Sequence, residues 1–182
     1  MITSEQVQMI MEQADCLYNE AAVNQALDRM AIEITEKLAD QNPHVLCVLS
    51  GAIIPAGHLL TRLQFPLTID YIHATRYRGE TSGGELHWLA KPKASLAGRA
   101  ILVIDDILDE GLTLKAILDY CRSEVAASVY SAVLVDKKHN RKNGLLADFV
   151  GVETEDRYLF GFGMDYKGYL RNAAGIYAVK GM

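Results

Sequence analysis

Cysteine is scarce and scattered: the 182 residues hold three, Cys16, Cys47 and Cys121. None pairs into a CxxC motif, which argues against a disulfide framework and against a thiolate zinc site. All three are expected as reduced core residues. The five histidines, His44, His58, His73, His87 and His139, show no HExxH-like spacing, which argues against a histidine-bound metal. Basic excess is missing too. The formal net charge is -5, the wrong sign for a general nucleic-acid binder. The longest apolar region, Val45 to Leu60, is broken by Ser50, Gly51, Pro55, Gly57 and His58, so it predicts no membrane span. The opening "MITSEQVQMIMEQAD" has no basic segment leading into an apolar run. It predicts no secretory leader and a cytoplasmic location. Neither GxxxxGKS/T nor GxGxxG occurs, so neither a nucleoside-triphosphate P-loop nor a dinucleotide fingerprint is present.

Half of the chain is hydrophobic, enough for one ordinary domain with a sizeable core. There is no internal repeat and no low-complexity linker. Thr3 and Gln6 form a candidate capping box. Val23, Leu27, Met30, Ile34 and Leu38 then recur at helical spacing as a core stripe. After Pro43 the texture changes. "HVLCVL", "LTIDYIHATRY", "RAILVID", "SVYSAVLVD", "FVGVE", "YLFGFG" and "GIYAVK" read as strands, and "SGAIIPAGHLLTRL" and "TLKAILDYCRS" as turn-to-helix and helix. Apolar strands alternating with helices predict an α/β fold with a mainly parallel sheet flanked by helices. Ligands of such sheets bind beyond the carboxyl ends of the strands. Ser50-Gly51, the Asp105 cluster and Asp136-Lys137 would meet in that crevice. "GETSGGE" has the composition of an exposed loop.

The densest chemistry is "ILVIDDILDEGLTL", Ile101 to Leu114. An apolar strand runs into Asp105 and Asp106, then Asp109 and Glu110, then Gly111 at a tight turn. The start of the following helix, with the Thr113 hydroxyl, offers a site for one phosphate. Acids beside a phosphate site need ligand hydroxyls or a divalent cation to meet them. A ribose 5-phosphate unit satisfies both halves.

This stretch resembles the phosphoribosyl-diphosphate signature of type I phosphoribosyltransferases. "ADFVGVETEDRYLFGFGMDYKGYLRN", Ala147 to Asn172, resembles the purine-binding region of hypoxanthine-guanine phosphoribosyltransferases, and "LSG" and "LVDKK" fall at the matching places. The resemblance implies one phosphoribosyltransferase domain over residues 1–182. Its core would span about 40–150, with a small hood from about 1–40 and 150–182.

The resemblance also implies residue roles. Asp105 and Asp106 would engage the ribose hydroxyls and share the charge of a magnesium ion, and Asp165 would hold a second magnesium through water. Asp109 would be the general base near purine N7. Glu110, Gly111, Leu112 and Thr113 would form the 5-phosphate loop. Glu110 and Leu112 depart from the commoner Thr or Ser before the glycine and Lys or Asn after it, and Glu110 is expected to point away from the phosphate. Ser50 and Gly51 would bind pyrophosphate around a cis peptide, with Ser50 where the family often has a basic residue. Arg76 and Tyr77 would close over the pyrophosphate, and Arg171 would bind it. Lys137 would contact the purine O6, Tyr158 would stack on the ring, and Leu159 and Asp165 would complete the purine site. Lys138, Arg141 and Lys142 are expected as a solvated basic loop, and His87 and Trp88 as packing residues on a returning strand.

The implied activity is purine salvage: hypoxanthine or guanine plus 5-phosphoribosyl 1-diphosphate gives IMP or GMP plus pyrophosphate. Small-molecule substrates, Mg2+, and a homodimer or homotetramer follow from the same resemblance, with no nucleic-acid or membrane partner. Two alternatives stay open: a xanthine-preferring relative, and a non-catalytic phosphoribosyl-diphosphate-binding regulator.

Overall fold

A computed structural model describes residues 2–76 and 86–181, apart from the side chains of Arg76 and Leu86. The chain opens with α1 (Ser4–Gln13), held at its start by the Thr3–Gln6 capping box. A short strand β1 (Asp15–Tyr18) leads into α2 (Glu20–Leu38), capped by Asn19, whose side chain accepts the Ala22 N–H. The α/β alternation follows: β2 (His44–Val48), α3 (Ile53–Leu60), β3 (Thr68–Arg76), β4 (Leu86–Ala90), β5 (Ala100–Leu108), α4 (Leu112–Ser123), β6 (Ser128–Lys138) and β7 (Phe149–Glu155). Two short strands close the order, β8 (Leu159–Phe160) and β9 (Ile176–Ala178).

The main sheet has the order β4-β3-β2-β5-β6-β7. All its neighbours are parallel except β4, which runs antiparallel to β3 at the edge. Both faces of the central strands are covered, so Val45–Val48 and Ile101–Ile104 are buried without alternation. Burying each such side chain is worth roughly 1.5–3 kcal/mol. Helix α2 lays Val23, Leu27, Met30, Ile34 and Leu38 into this core and packs along β7. The second sheet, β1-β9-β8, joins the two ends of the chain. It carries its own small core of Phe160, Tyr166 and Val179, lined by Ile2, Ile10 and Met11.

Two expectations are corrected here. Cys47 and Cys121 are buried, but Cys16 is exposed, because β1 pairs only with β9 at the rim of the small sheet. Trp88 packs against Tyr120, ring centroids 5.0 Å apart, with Lys91 over both rings. His87 is exposed instead, since neighbouring strand residues face opposite sides. No described helix is long and apolar enough to cross a membrane.

Candidate active site

The carboxyl ends of β2, β5 and β6 lie side by side, because Cys47 pairs with Ile104 and Leu108 with Asp136. Strand β5 brings Asp105 and Asp106 to the end of the buried run, Asp105 being 8% exposed. Burial, reinforced by Asp106's charge and the hydrogen bond it donates to Asp106, pushes the Asp105 carboxyl well above the carboxylate range. Burial also raises Asp106, opposed by the hydrogen bond from Asp105 and by the nearby charge of Arg171. Two desolvated carboxyls side by side disfavour a second negative charge. Such a pair suits a divalent cation or a ribose diol, either of which would compensate the second negative charge.

The Leu49–Ser50 peptide is cis, as the resemblance implied, and Gly51 lies against Asp106. A Cβ at Gly51 would land on the Asp106 carboxylate, so a larger residue there has to displace it. Across from it, Arg171 grips the segment after β8. Its Nη2 lies 2.7 Å from Asp165 Oδ1, and its Nη1 donates to the Gly163 carbonyl at 2.6 Å. Asp165 Oδ2 accepts the Gly168 N–H at 2.7 Å. Ser50, Gly51, Asp106, Asp165 and Arg171 thus belong to one rim.

The turn from β5 into α4 is built by Gly111 at φ +82°, where a Cβ would press on Asn143. Gly111, the N-cap of α4, brings no capping side chain of its own, and Leu112 and Thr113 form the helix start, the end of a helix that favours an anion. Glu110 points away from it: its carboxylate lies 3.8 Å from Arg141 Nε, and its carbonyl accepts the Asn143 N–H at 3.1 Å. The segment after β6 is thereby laced onto the turn.

Asp109 stands at the other side of that turn. Its Oδ2 accepts from Lys137 Nζ at 3.1 Å, and its Oδ1 lies 2.6 Å from His139 Nε2. Lys137, whose side chain is 10% exposed, also lies 3.5 Å from Asp156 Oδ1. Arg141 forks onto Asp156 at 2.6 and 3.0 Å and holds the Asp156 carboxyl down to about 2. Asp109, His139 and Asp156 present ligand atoms within 4.8 Å of one another, but Lys137 and Arg141 already supply positive charge there.

Lys138 and Lys142, expected as solvated, both pair with Asp136, and Lys138 also meets Glu153 at 2.8 Å. Arg141, expected likewise, is the clamp on Asp156. Lys138 and Arg141 stay about half exposed, as expected of a solvated loop, whereas Lys142 is drawn inward onto the buried Asp136. Tyr158 is 42% exposed and meets Tyr166 edge-on, centroids 5.5 Å apart; Leu159, next to it in β8, is buried. Tyr77 and the side chain of Arg76 lie outside the described residues. His139 and Asp156 were missed from sequence. The available signal was Lys137-x-His139, since residues two apart at a strand end share a face.

Against known proteins, the family model described as "Phosphoribosyl transferase domain" matches residues 13–167. The hypoxanthine-guanine-xanthine phosphoribosyltransferase of Tritrichomonas foetus is 36% identical over 157 residues, covering 86% of each chain. The hypoxanthine-guanine phosphoribosyltransferase of Bacillus subtilis is 33% identical, covering 86% of this chain and 87% of the relative. A solved hypoxanthine-guanine-xanthine phosphoribosyltransferase superposes with a TM-score of 0.85 at 32% identity, over 93% of this chain and 99% of that one. A hypoxanthine phosphoribosyltransferase from Staphylococcus aureus superposes with a TM-score of 0.89 at 26% identity, over 94% of this chain and 95% of that one.

Proposed function

The chain belongs to the phosphoribosyl transferase domain family, and on that premise we propose the reaction its site performs. It is a purine-salvage phosphoribosyltransferase. It joins hypoxanthine or guanine to 5-phosphoribosyl 1-diphosphate and releases pyrophosphate. The single observation that carries this reading is the Asp109–Lys137 pair at 3.1 Å, a base and a cationic donor together beside the acidic ribose site.

In this reading Lys137 donates to the purine O6, which favours 6-oxopurines over adenine. Tyr158 stacks on the ring, and Leu159 and Asp165 flank its far edge. Leu112, Thr113 and the Gly111 turn hold the 5-phosphate, with Glu110 drawn aside by Arg141. Ser50, Gly51 and Arg171 hold the pyrophosphate, and Arg76 and Tyr77 cover it. Asp109 accepts the N7 proton as N9 bonds to ribose C1 and the C1–oxygen bond to pyrophosphate breaks. The negative carboxylates also offset positive charge on the ribosyl carbon.

With Asp165 placed to hold a second ion through water, the adjacent carboxyls of Asp105 and Asp106 are a fitting seat for Mg2+. Bound there, the ion would neutralise the diphosphate and orient it. Unpaired cysteines fit a cytoplasmic setting. Ile69, Tyr71 and Leu89 leave an apolar area of β3 and β4 exposed, which supports a homodimer or homotetramer.

The test is a transfer assay with hypoxanthine, guanine, xanthine and adenine in the presence of magnesium. Transfer to the first two, with adenine far behind, is expected. Transfer to xanthine alone favours the xanthine-preferring alternative. Absence of transfer to every base, with phosphoribosyl diphosphate still bound, favours the regulator and overturns the enzyme reading.

A further inference from the structure

One side chain on Asp109 has no role in the reaction so far. His139 is nearly sealed from solvent, its side chain 4% exposed. Its Nε2 lies 2.6 Å from Asp109 Oδ1, and its Nδ1 accepts the backbone N–H of Arg141 at 3.1 Å. The second contact sets the tautomer of the neutral ring. With Nδ1 accepting, the proton sits on Nε2 and is donated to Asp109. With Nδ1 engaged by the Arg141 amide, the ring meets Asp109 as a donor through Nε2.

The two oxygens of Asp109 are held from different sides, Oδ1 by His139 and Oδ2 by Lys137. No other described group takes His139's place. Arg141 Nη2 is 3.9 Å from Oδ1, but its guanidinium is committed to Asp156. The remaining charged neighbours are Asp156 after β7, which faces Lys137, and Glu110 on the turn, which faces Arg141. When Lys137 turns toward a purine O6, its hold on Oδ2 loosens, and His139 becomes the contact that keeps the carboxylate from rotating.

We propose that His139 is a positioning residue for phosphoribosyl transfer: its Nε2–H holds Asp109 in the orientation that accepts the purine N7 proton. This rests on the proposed role of Asp109. In the step, N9 bonds to ribose C1 and the C1–oxygen bond breaks with its electron pair leaving on pyrophosphate. The N7–H electrons return to the ring, and the proton ends on an Asp109 oxygen. His139 keeps its own proton throughout.

The experiment measures single-turnover transfer from phosphoribosyl diphosphate to hypoxanthine, with magnesium, across pH. The variants are His139→Leu, His139→Gln, Asp109→Asn and the Asp109→Asn/His139→Leu double. His139→Leu removes one charge-assisted hydrogen bond and should slow the step roughly 10-fold. Donor affinity should stay within about 2-fold, since the contact lies away from the pyrophosphate rim. The acid side of the pH–rate profile should move toward neutrality, because a carboxylate that loses a donor binds its proton more tightly. Glutamine can present an N–H where Nε2 stands, so His139→Gln should recover most of the rate. In the Asp109→Asn background, His139→Leu should cost nothing further. Equal rates for Gln and Leu, an unmoved acid limb, or the same loss in the Asp109→Asn background would each overturn the role of His139. A near-wild-type rate for Asp109→Asn, itself expected to lose roughly 10²-fold, would instead overturn the Asp109 reading and this proposal with it.

Discussion

Lys137→Ala separates base selection from everything else the lysine does. In the wild type Lys137 Nζ lies 3.1 Å from Asp109 and 3.5 Å from Asp156, and in the proposed complex it donates to the purine O6. Truncation removes both functions at once. The Asp109 contact serves every base equally, so its loss cancels in a ratio of two bases. The O6 contact does not cancel: hypoxanthine offers an acceptor there, adenine a donor. A hydrogen bond to a charged group is worth about 1.5–3 kcal/mol, and each 1.4 kcal/mol is about tenfold. The ratio of kcat/KM for hypoxanthine over adenine should therefore shrink by roughly 10- to 150-fold. Folding should survive, because His139 still holds Asp109 and Arg141 still holds Asp156. Steady-state kinetics with both bases, and with phosphoribosyl diphosphate varied, measure it. A ratio that stays at its wild-type value in a folded Lys137→Ala protein would place selection elsewhere, most directly on the backbone around Leu159.

Three further outcomes follow from the same geometry. Removing magnesium with a chelator should abolish transfer and adding it back should restore it; full turnover in excess chelator would take the metal out of the proposal. Gly51→Ala drives a methyl group into the Asp106 carboxylate and should weaken phosphoribosyl diphosphate binding by about tenfold or more, a loss of at least ~1.4 kcal/mol, read by calorimetric titration; unchanged affinity would show that the loop does not touch the donor. His44 is 2% exposed, bonds Thr68 through Nδ1 at 2.7 Å, and its Nε2 has no partner among the described residues. Burial and then the Arg99 charge lower its pKa below 6.5, so the unfolded chain takes up the proton first as pH falls. Stability from this residue is present above pH 6.5 and drains below it, by at most about 1.4 kcal/mol per pH unit. His44→Asn should flatten urea-unfolding stability between pH 7 and 5.5, and an equal slope in both proteins would refute the assignment.

The main sheet was legible because its strands are buried on both faces. "RAILVID" and "HVLCVL" leave little else to be, and the helical stripe of α2 repeats from Val23 to Leu38, about four turns. The small sheet was less so. β8 has two residues and β9 three, too few for any period to register, and β1 hid between two helices. Its exposed Cys16 could not be told from a core cysteine by composition. The candidate site was legible wherever its residues are consecutive, as in Asp105 to Thr113. It was not legible where partners are distant in the chain: His139 meets Asp109 across 30 residues and Arg141 meets Asp156 across 15. A search for metal-ligand spacing passes over a histidine whose partner is a carboxylate one strand away.

That limit bears on how the acidic signature should be understood. In sequence, Asp105, Asp106 and Asp109 are three equivalent carboxylates within five positions. In the fold they part company. Asp105 and Asp106 sit where β5 is walled by its neighbours, and burial raises both carboxyls, opposed at Asp106 by the charge of Arg171, so they favour a ligand that brings positive charge or donors. Asp109, three residues on, has left the strand and is met by Lys137 and His139. It needs no cation and is already held as an acceptor. The division follows from one structural fact: β6 pairs with β5 up to Leu108 and continues as far as Lys138. Those two further residues of strand carry Lys137 and, just beyond, His139 to Asp109 but not back to Asp105. In the proposed reaction, one run of acids thus supplies both a seat for a metal and a base that does without one.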